Sequence, residues 1–220
     1  MIRAVLFDLD GTLADSLADI ADAMNRALRL HGLPGWRTDE YRMLVGNGAR
    51  VLARRCVRGR QDLAHAVLTD YQDWYERHCL DKTGPYPGIP ELVRSLAEEG
   101  ILCCVLSNKP DADTKRVVAH CLPDASFACV RGQREGTPLK PDPAAALAVA
   151  DGIGVRPAEM LCVGDSAVDM ELARAAGMPS AGACWGFRGP RELEENGALF
   201  LAEKPSDVLG AVHALRLSGT

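Results

Sequence analysis

The feature that most limits the fold is a repeated contrast between short apolar runs and longer amphipathic ones. Ala4–Phe7, Ile101–Leu106, Phe127–Val130, Met160–Val163 and Ser180–Cys184 are almost unbroken in apolar character, and a weaker run lies at Leu199–Leu201. A strand with one wet face alternates apolar and polar residues. Strands without that alternation are covered on both faces, which is the condition of a parallel sheet wrapped by helices. Helical periodicity fills the gaps, at Glu91–Glu99, Asp111–Cys121, Ala144–Asp151, Val168–Ala176 and Ser206–Leu215. Glycine or proline follows most of these segments and supplies the stop signal. The expected class is therefore α/β, a Rossmann-like parallel sheet flanked by helices.

One long stretch interrupts the alternation. From Asp15 to about Lys82 no strand signal is convincing, while Leu17, Ile20, Met24, Ala27 and Leu28 fall on one helical face that ends at Gly32-Leu33-Pro34-Gly35. Further helices fit Thr38–Val45, Gly48–Val57 and Gln61–Cys79. The economical division is a core of residues 1–14 and 83–220 with an inserted all-helical cap at 15–82. A cap entering after the first strand stands over the carboxyl edge of the sheet, where open α/β sheets bind ligands. There it can exclude water and select substrates.

Composition narrows the setting. Among 220 residues, 47% are hydrophobic and 25% charged, enough for a real core and against disorder. The net charge of −5 argues against a nucleic-acid or membrane-surface partner, and no window reaches the length of a membrane span. The basic cluster of residues 50–60 reads as a solvated helix face. Eight cysteines form no CxxC pair and sit largely in apolar runs, as expected of buried thiols in a reducing compartment, here the cytoplasm. The five histidines show no metal spacing.

Chemistry gathers at the ends of the predicted strands. Asp8-Leu9-Asp10-Gly11-Thr12 closes the first, and residues two apart in an extended chain point the same way. Two adjacent carboxylates repel unless a cation binds or one holds a proton. Asp-Gly also favours a turn, but a turn does not explain an aspartate closing a buried strand. Gly164-Asp165-Ser166-Ala167-Val168-Asp169 follows another strand and offers two more carboxylates, although a helix N-cap would use the same residue types. Oxygen-rich clusters of this kind suit hard cations such as Mg²⁺. Ser107-Asn108-Lys109 and Lys140 in LKPDP offer a hydroxyl, an amide and positive charge to phosphoryl oxygens, or are simply turn residues. Gly46-Asn47-Gly48-Ala49-Arg50 reads equally as an anion-binding helix entrance with Arg50 gripping a carboxylate, or as a plain Asn-Gly turn.

Taken in order, Asp-x-Asp, Ser, Lys and Gly-Asp-x-x-x-Asp at successive strand ends resemble the four motifs of the haloacid dehalogenase superfamily. FDLDGTLADS, VGNGAR, LSNKP, KPDP and VGDSAVD are similar to segments of its phosphoglycolate phosphatase group, over essentially the whole chain. The resemblance implies Asp8 as nucleophile and Asp10 as general acid and later base. It implies Ser107 and Lys140 as phosphoryl grips, with backbone N–H groups near Asp10 and Asn108 assisting. Magnesium would be held by Asp8, the carbonyl of Asp10 and Asp165, and Asp169 would order a metal-bound water or pair with Lys140. Asp10 also separates phosphatases from the dehalogenase branch, which expels halide and needs no acid there. The substrate implied is a small phosphorylated metabolite, 2-phosphoglycolate first, with Asn47, Arg50 and Asn108 as candidate binding residues. Pyrophosphate, a sugar phosphate or a non-catalytic phospholigand-binding role are the alternatives, and the protein is expected to be a monomer or homodimer.

Overall fold

The computed structural model describes residues 1–217. In chain order its elements are β1 (Ala4–Phe7), β2 (Ala14–Asp15), α1 (Leu17–Leu30), α2 (Tyr41–Leu44), α3 (Ala49–Cys56), α4 (Ala64–His78), β3 (Gly84–Pro85) and α5 (Ile89–Glu98). There follow β4 (Leu102–Pro110), α6 (Asp111–Cys121), β5 (Cys129–Gln133), α7 (Ala144–Gly152), β6 (Met160–Gly164), α8 (Ala167–Ala176), β7 (Ser180–Ala183), α9 (Pro190–Glu195), β8 (Phe200–Ala202) and α10 (Ser206–Leu217).

Six strands form one parallel sheet in the order β5-β4-β1-β6-β7-β8. Every residue of β1 and β6 is buried, which is why these runs carry no polar alternation. Val5, Phe7, Cys103, Val105, Leu161 and Val163 pack to one side with α5, α6 and α10. Leu6, Cys104, Leu106 and Cys162 pack to the other with α7 and α8. Full burial of each large apolar side chain is worth about 1.5–3 kcal/mol, so the paired faces hold the sheet flat against its helices. The chain winds outward from β1 through β4 to β5, then returns to β6 on β1's other side. That reversal leaves a crevice at the carboxyl ends of β1 and β6, where ligands bind in open sheets.

The helices α1 to α4 enclose a hydrophobic cluster of their own, built from Leu17, Ile20, Met24, Leu28, Tyr41, Leu52, Val67, Tyr71 and Tyr75. Leu17, Ile20, Met24 and Leu28 recur every three or four residues and form the buried stripe of α1. A two-stranded neck, with Ala14 opposite Pro85 and Asp15 opposite Gly84, brings the chain entering α1 beside the chain leaving α4. This antiparallel pair lies where sequence periodicity shows no strand, since two residues are too few for a pattern. The segment expected to be one helix at Thr38–Val45 is a 3₁₀ turn at Thr38–Glu40 continuing into α2. The basic residues Arg50, Arg54, Arg55, Arg58 and Arg60 are exposed, and all eight cysteines are free thiols, most of them buried. No helix among the described residues is long and apolar enough to cross a membrane.

Candidate active site

Four carboxylates and two lysines meet above the crevice. Asp8 leaves the end of β1 and Asp165 the end of β6, so neighbouring parallel strands put them side by side. Asp169 reaches back from the first turn of α8. Its Oδ2 accepts Ser166 Oγ at 2.8 Å and Ser166 N at 3.3 Å, a reciprocal cap that also aims Oδ1 at the site. Carboxylate oxygens of Asp8, Asp165 and Asp169 lie within 4.8 Å of one another.

Lys140, from the loop after β5, is buried between two of them. Its ammonium donates to Asp8 Oδ1 and to Asp169 Oδ1, each at 2.7 Å. Burial alone would depress this lysine, but the two facing carboxylates outweigh it and hold the ammonium charged. One cation cannot balance three anions. Burial pushes Asp8 up to about 7, helped by Asp169 and opposed by Lys140. Asp165 is raised well above the carboxylate range by burial and then by Asp169 and Asp8, against a bond from the Phe187 N–H at 2.7 Å.

Excess negative charge with oxygen-only donors is what a hard divalent cation relieves, and the residues fit Mg²⁺ in donor type. The packing around Asp165 keeps room for that carboxylate. A Cβ on Gly11, whose φ is +93°, would stand 2.3 Å from Asp165 Oδ2, and one on Gly186 would stand 2.3 Å from Asp165 Cβ. Only glycine tolerates both approaches.

Asp10 is arranged differently from Asp8. Its Oδ1 accepts Ser16 Oγ at 2.6 Å, and Lys109 Nζ donates to Oδ1 and Oδ2 at 2.7 and 2.8 Å. Its side chain is thus outside the triad of Asp8, Asp165 and Asp169, which leaves the backbone carbonyl as its means of touching a metal. Lys109, with a side chain only 4% exposed, also lies over the Tyr75 ring at 4.8 Å. Sequence reasoning gave Lys109 no role of its own. Its signal was its place beside Ser107 in SNKP, which does not show which neighbour it would meet.

These groups line a cavity of about 80 Å³ between core and cap. Asp8, Asp10, Ser107, Asn108, Lys109, Lys140, Asp165 and Asp169 form its floor. Cap residues, among them Ile20, Val45, Leu52, Tyr71, Gln72 and Tyr75, form its roof, and Phe187 and Arg188 also line it. Ser107 is buried and its Oγ accepts the Lys109 N–H at 3.2 Å. The Asn108 side chain is occupied structurally: its amide donates to the carbonyls of Gly46 and Lys140, and its Oδ1 accepts the Lys140 N–H at 2.8 Å. It joins the cap loop to the lysine loop.

The cap residues singled out from sequence stand apart from the cavity. Asn47 accepts a bond from Arg55 at 2.9 Å, and Arg50 is exposed. Helix α3 begins at Ala49, so Ala49 and Leu52 face inward and Arg50, about 100° further round than Ala49, faces solvent. The arginine on the wall is Arg188 instead. It donates to the carbonyls of Met43 and Val45, both at 3.3 Å, and pairs with Glu192 at 3.3 Å. In return Arg42 donates to the Gly186 carbonyl at 3.0 Å. Nothing in the sequence marks Arg188, because its contacts lie about 145 residues away.

The chain and its fold have counterparts among known proteins. A family model for haloacid dehalogenase-like hydrolases matches residues 5–183. The chain belongs to that family. A phosphoglycolate phosphatase of Pseudomonas putida is 37% identical over 97% of this chain and 78% of its own length. One from Aquifex aeolicus is 30% identical, over 94% of this chain and 95% of its own. An N-acetylmuramic acid 6-phosphate phosphatase of Pseudomonas aeruginosa is 29% identical over 94% and 93%. The crystal structure of an inferred phosphoglycolate phosphatase from Lactobacillus delbrueckii superposes with a TM-score of 0.90 at 27% identity, over 96% of this chain and 98% of that one. Within the family the chain is a phosphoric monoester hydrolase.

Proposed function

We propose that this haloacid dehalogenase-like phosphatase hydrolyses 2-phosphoglycolate to glycolate and phosphate through an aspartyl-phosphate at Asp8, with Mg²⁺ as cofactor and residues 15–82 as its cap. The observation that carries the chemistry is the division of labour between the two motif aspartates. Asp8 faces Asp165, Asp169 and Lys140, whereas Asp10 faces Lys109, Ser16 and the cap. One is set toward phosphorus and metal, the other toward the leaving group.

In this reading an Asp8 oxygen attacks phosphorus in line as the ester bond to the leaving oxygen breaks, and Asp10 gives that oxygen a proton. Asp10 then takes a proton from the water that attacks the acyl-phosphate, which restores Asp8 and releases phosphate. Lys140 and Ser107 hold equatorial phosphoryl oxygens, where charge must be met in the transition state. Asp8, Asp165, the carbonyl of Asp10 and, through water, Asp169 would hold the cation. When bound, it offsets the charge of the carboxylate and phosphoryl oxygens so that two anions can meet.

The substrate assignment draws on the named relatives. Two phosphoglycolate phosphatases share 37% and 30% identity with the chain. Phosphate release in Mg²⁺ from 2-phosphoglycolate, pyrophosphate, several sugar phosphates and ethyl phosphate tests it. A kcat/KM for 2-phosphoglycolate of about 10⁴ M⁻¹s⁻¹ or more, well above the others, is expected. A sugar phosphate turned over faster, as the muramic acid 6-phosphate relative would suggest, refutes the substrate while leaving the mechanism.

A further inference from the structure

The phosphate half of the cavity is crowded with charge, but the roof offers few polar groups. Of the nine residues that α1 to α4 and their loops place there, six are glycine or aliphatic, and only Tyr71, Gln72 and Tyr75 carry polar side-chain groups. Tyr75 is 3% exposed, and its Oη is shut off from solvent with no hydrogen-bond partner among the described residues. Among the polar side chains of the cavity, Lys109 pairs with Asp10, Asp113 with Arg116, Lys140 with Asp8 and Asp169, and Asn108 with Gly46 and Lys140. A buried phenol without a partner is rare, and because Tyr75 is among the residues that line the cavity, a ligand bound there can supply the missing acceptor.

The ring is also held in place. Tyr71, one helical turn earlier on α4, stacks on it with centroids 5.2 Å apart and planes 19° apart. On the core side the Lys109 ammonium lies 4.8 Å from the ring centroid and is itself fixed by Asp10. A cation over the ring draws electron density from it and makes the hydroxyl a better donor. Burial keeps the phenol protonated, so it donates at any working pH.

We infer that Tyr75 is the residue that reads the leaving group, its hydroxyl donating to the carboxylate that lies one carbon beyond the ester oxygen. This rests on the phosphoglycolate reading above and adds the residue responsible for it. Tyr75 touches no reacting atom, so it acts on substrate selection and leaves phosphoryl transfer to the core.

The test compares wild type with Tyr75→Phe on 2-phosphoglycolate and on ethyl phosphate, which has the same two-carbon length and no oxygen at that position. The substitution keeps the ring, its stacking and its lysine contact. A fall of about tenfold or more in kcat/KM is expected for 2-phosphoglycolate, carried mainly by KM, with ethyl phosphate changed less than about twofold. Inhibition by glycolate weakens in parallel. The melting temperature without ligand stays level or rises, because an unpartnered hydroxyl has been removed, an outcome that a structural hydrogen bond would not produce. A wild type with no preference for 2-phosphoglycolate over ethyl phosphate refutes the substrate reading, and the carboxylate assignment falls with it. A wild type that has the preference, retained undiminished in Tyr75→Phe, overturns the role of Tyr75 alone.

Discussion

Replacing Asp8, the proposed nucleophile, should stabilise the metal-free protein. Asp8 is raised from the usual 3.8 to about 7, chiefly by burial and then by Asp169 against the pull of Lys140. A folded state that binds a proton more tightly than the unfolded chain gains stability as pH falls and loses it as pH rises. The contribution is fully present below about pH 4 and lost by about pH 7. Three pH units correspond to about 4 kcal/mol at most, a ceiling that relaxation of the site will reduce. Asp8→Asn removes the carboxylate and keeps the shape, and Lys140 retains Asp169 as its partner at 2.7 Å. The variant should therefore melt higher than wild type in EDTA at about pH 8, by up to about 8–16 °C at 2–4 °C per kcal/mol. The gap should shrink by about 1.4 kcal/mol per pH unit between 7 and 4. Turnover should fall about 10³-fold or more. Differential scanning calorimetry across that pH range, with and without Mg²⁺, measures all but the last. A variant less stable than wild type at pH 8, or a gap independent of pH, refutes the electrostatic reasoning. Near-normal turnover excludes Asp8 as nucleophile.

Other substitutions separate the remaining parts of the site. Lys140→Met leaves Asp8 and Asp169 without their shared cation and should cost about 3–5 kcal/mol in EDTA, partly recovered by Mg²⁺ in a thermal melt. Gly11→Ala forces a Cβ to within 2.3 Å of Asp165 Oδ2 at a φ of +93°, and calorimetric titration should show Mg²⁺ affinity reduced by about tenfold or more. Arg50→Ala should leave the KM for 2-phosphoglycolate within about twofold, as for other exposed positions. Arg188→Ala, which releases the carbonyls of Met43 and Val45, should raise that KM clearly, and steady-state kinetics on the pair distinguishes the two arginines.

Relatives of this chain are named for different phosphate esters, phosphoglycolate and N-acetylmuramic acid 6-phosphate, and the proposed division of the chain offers a reason. The catalytic floor comes from strand ends of the sheet, whereas most of the roof comes from α1, α3, α4 and the loop before α3. Roof residues can change without disturbing the floor, so reaction class and substrate are set by separate parts of the structure.

Much of this was legible in the sequence for a physical reason. Buried parallel strands need unbroken apolar runs, so Ala4–Phe7 and Met160–Gly164 announced themselves, and the acidic residues that end them were bound to emerge at one edge of the sheet. The insertion was legible as helical periodicity. The same logic put Asp8, Asp10, Ser107 and Asp165 at that edge, because local chain direction decides where a strand end points, whereas Lys140 in its loop and Asp169 in the first turn of α8 were picked out by the motif resemblance. Partners across the fold were not legible. Lys109 holding Asp10, Arg188 gripping the cap loop and Tyr75 left without an acceptor depend on contacts spanning from 34 to more than 140 residues, and Arg50 turned outward because the first turn of α3 buries Ala49 and Leu52 instead. Local sequence determines which way an element faces. Only tertiary packing decides which charge finds which partner, and whether a hydroxyl finds any.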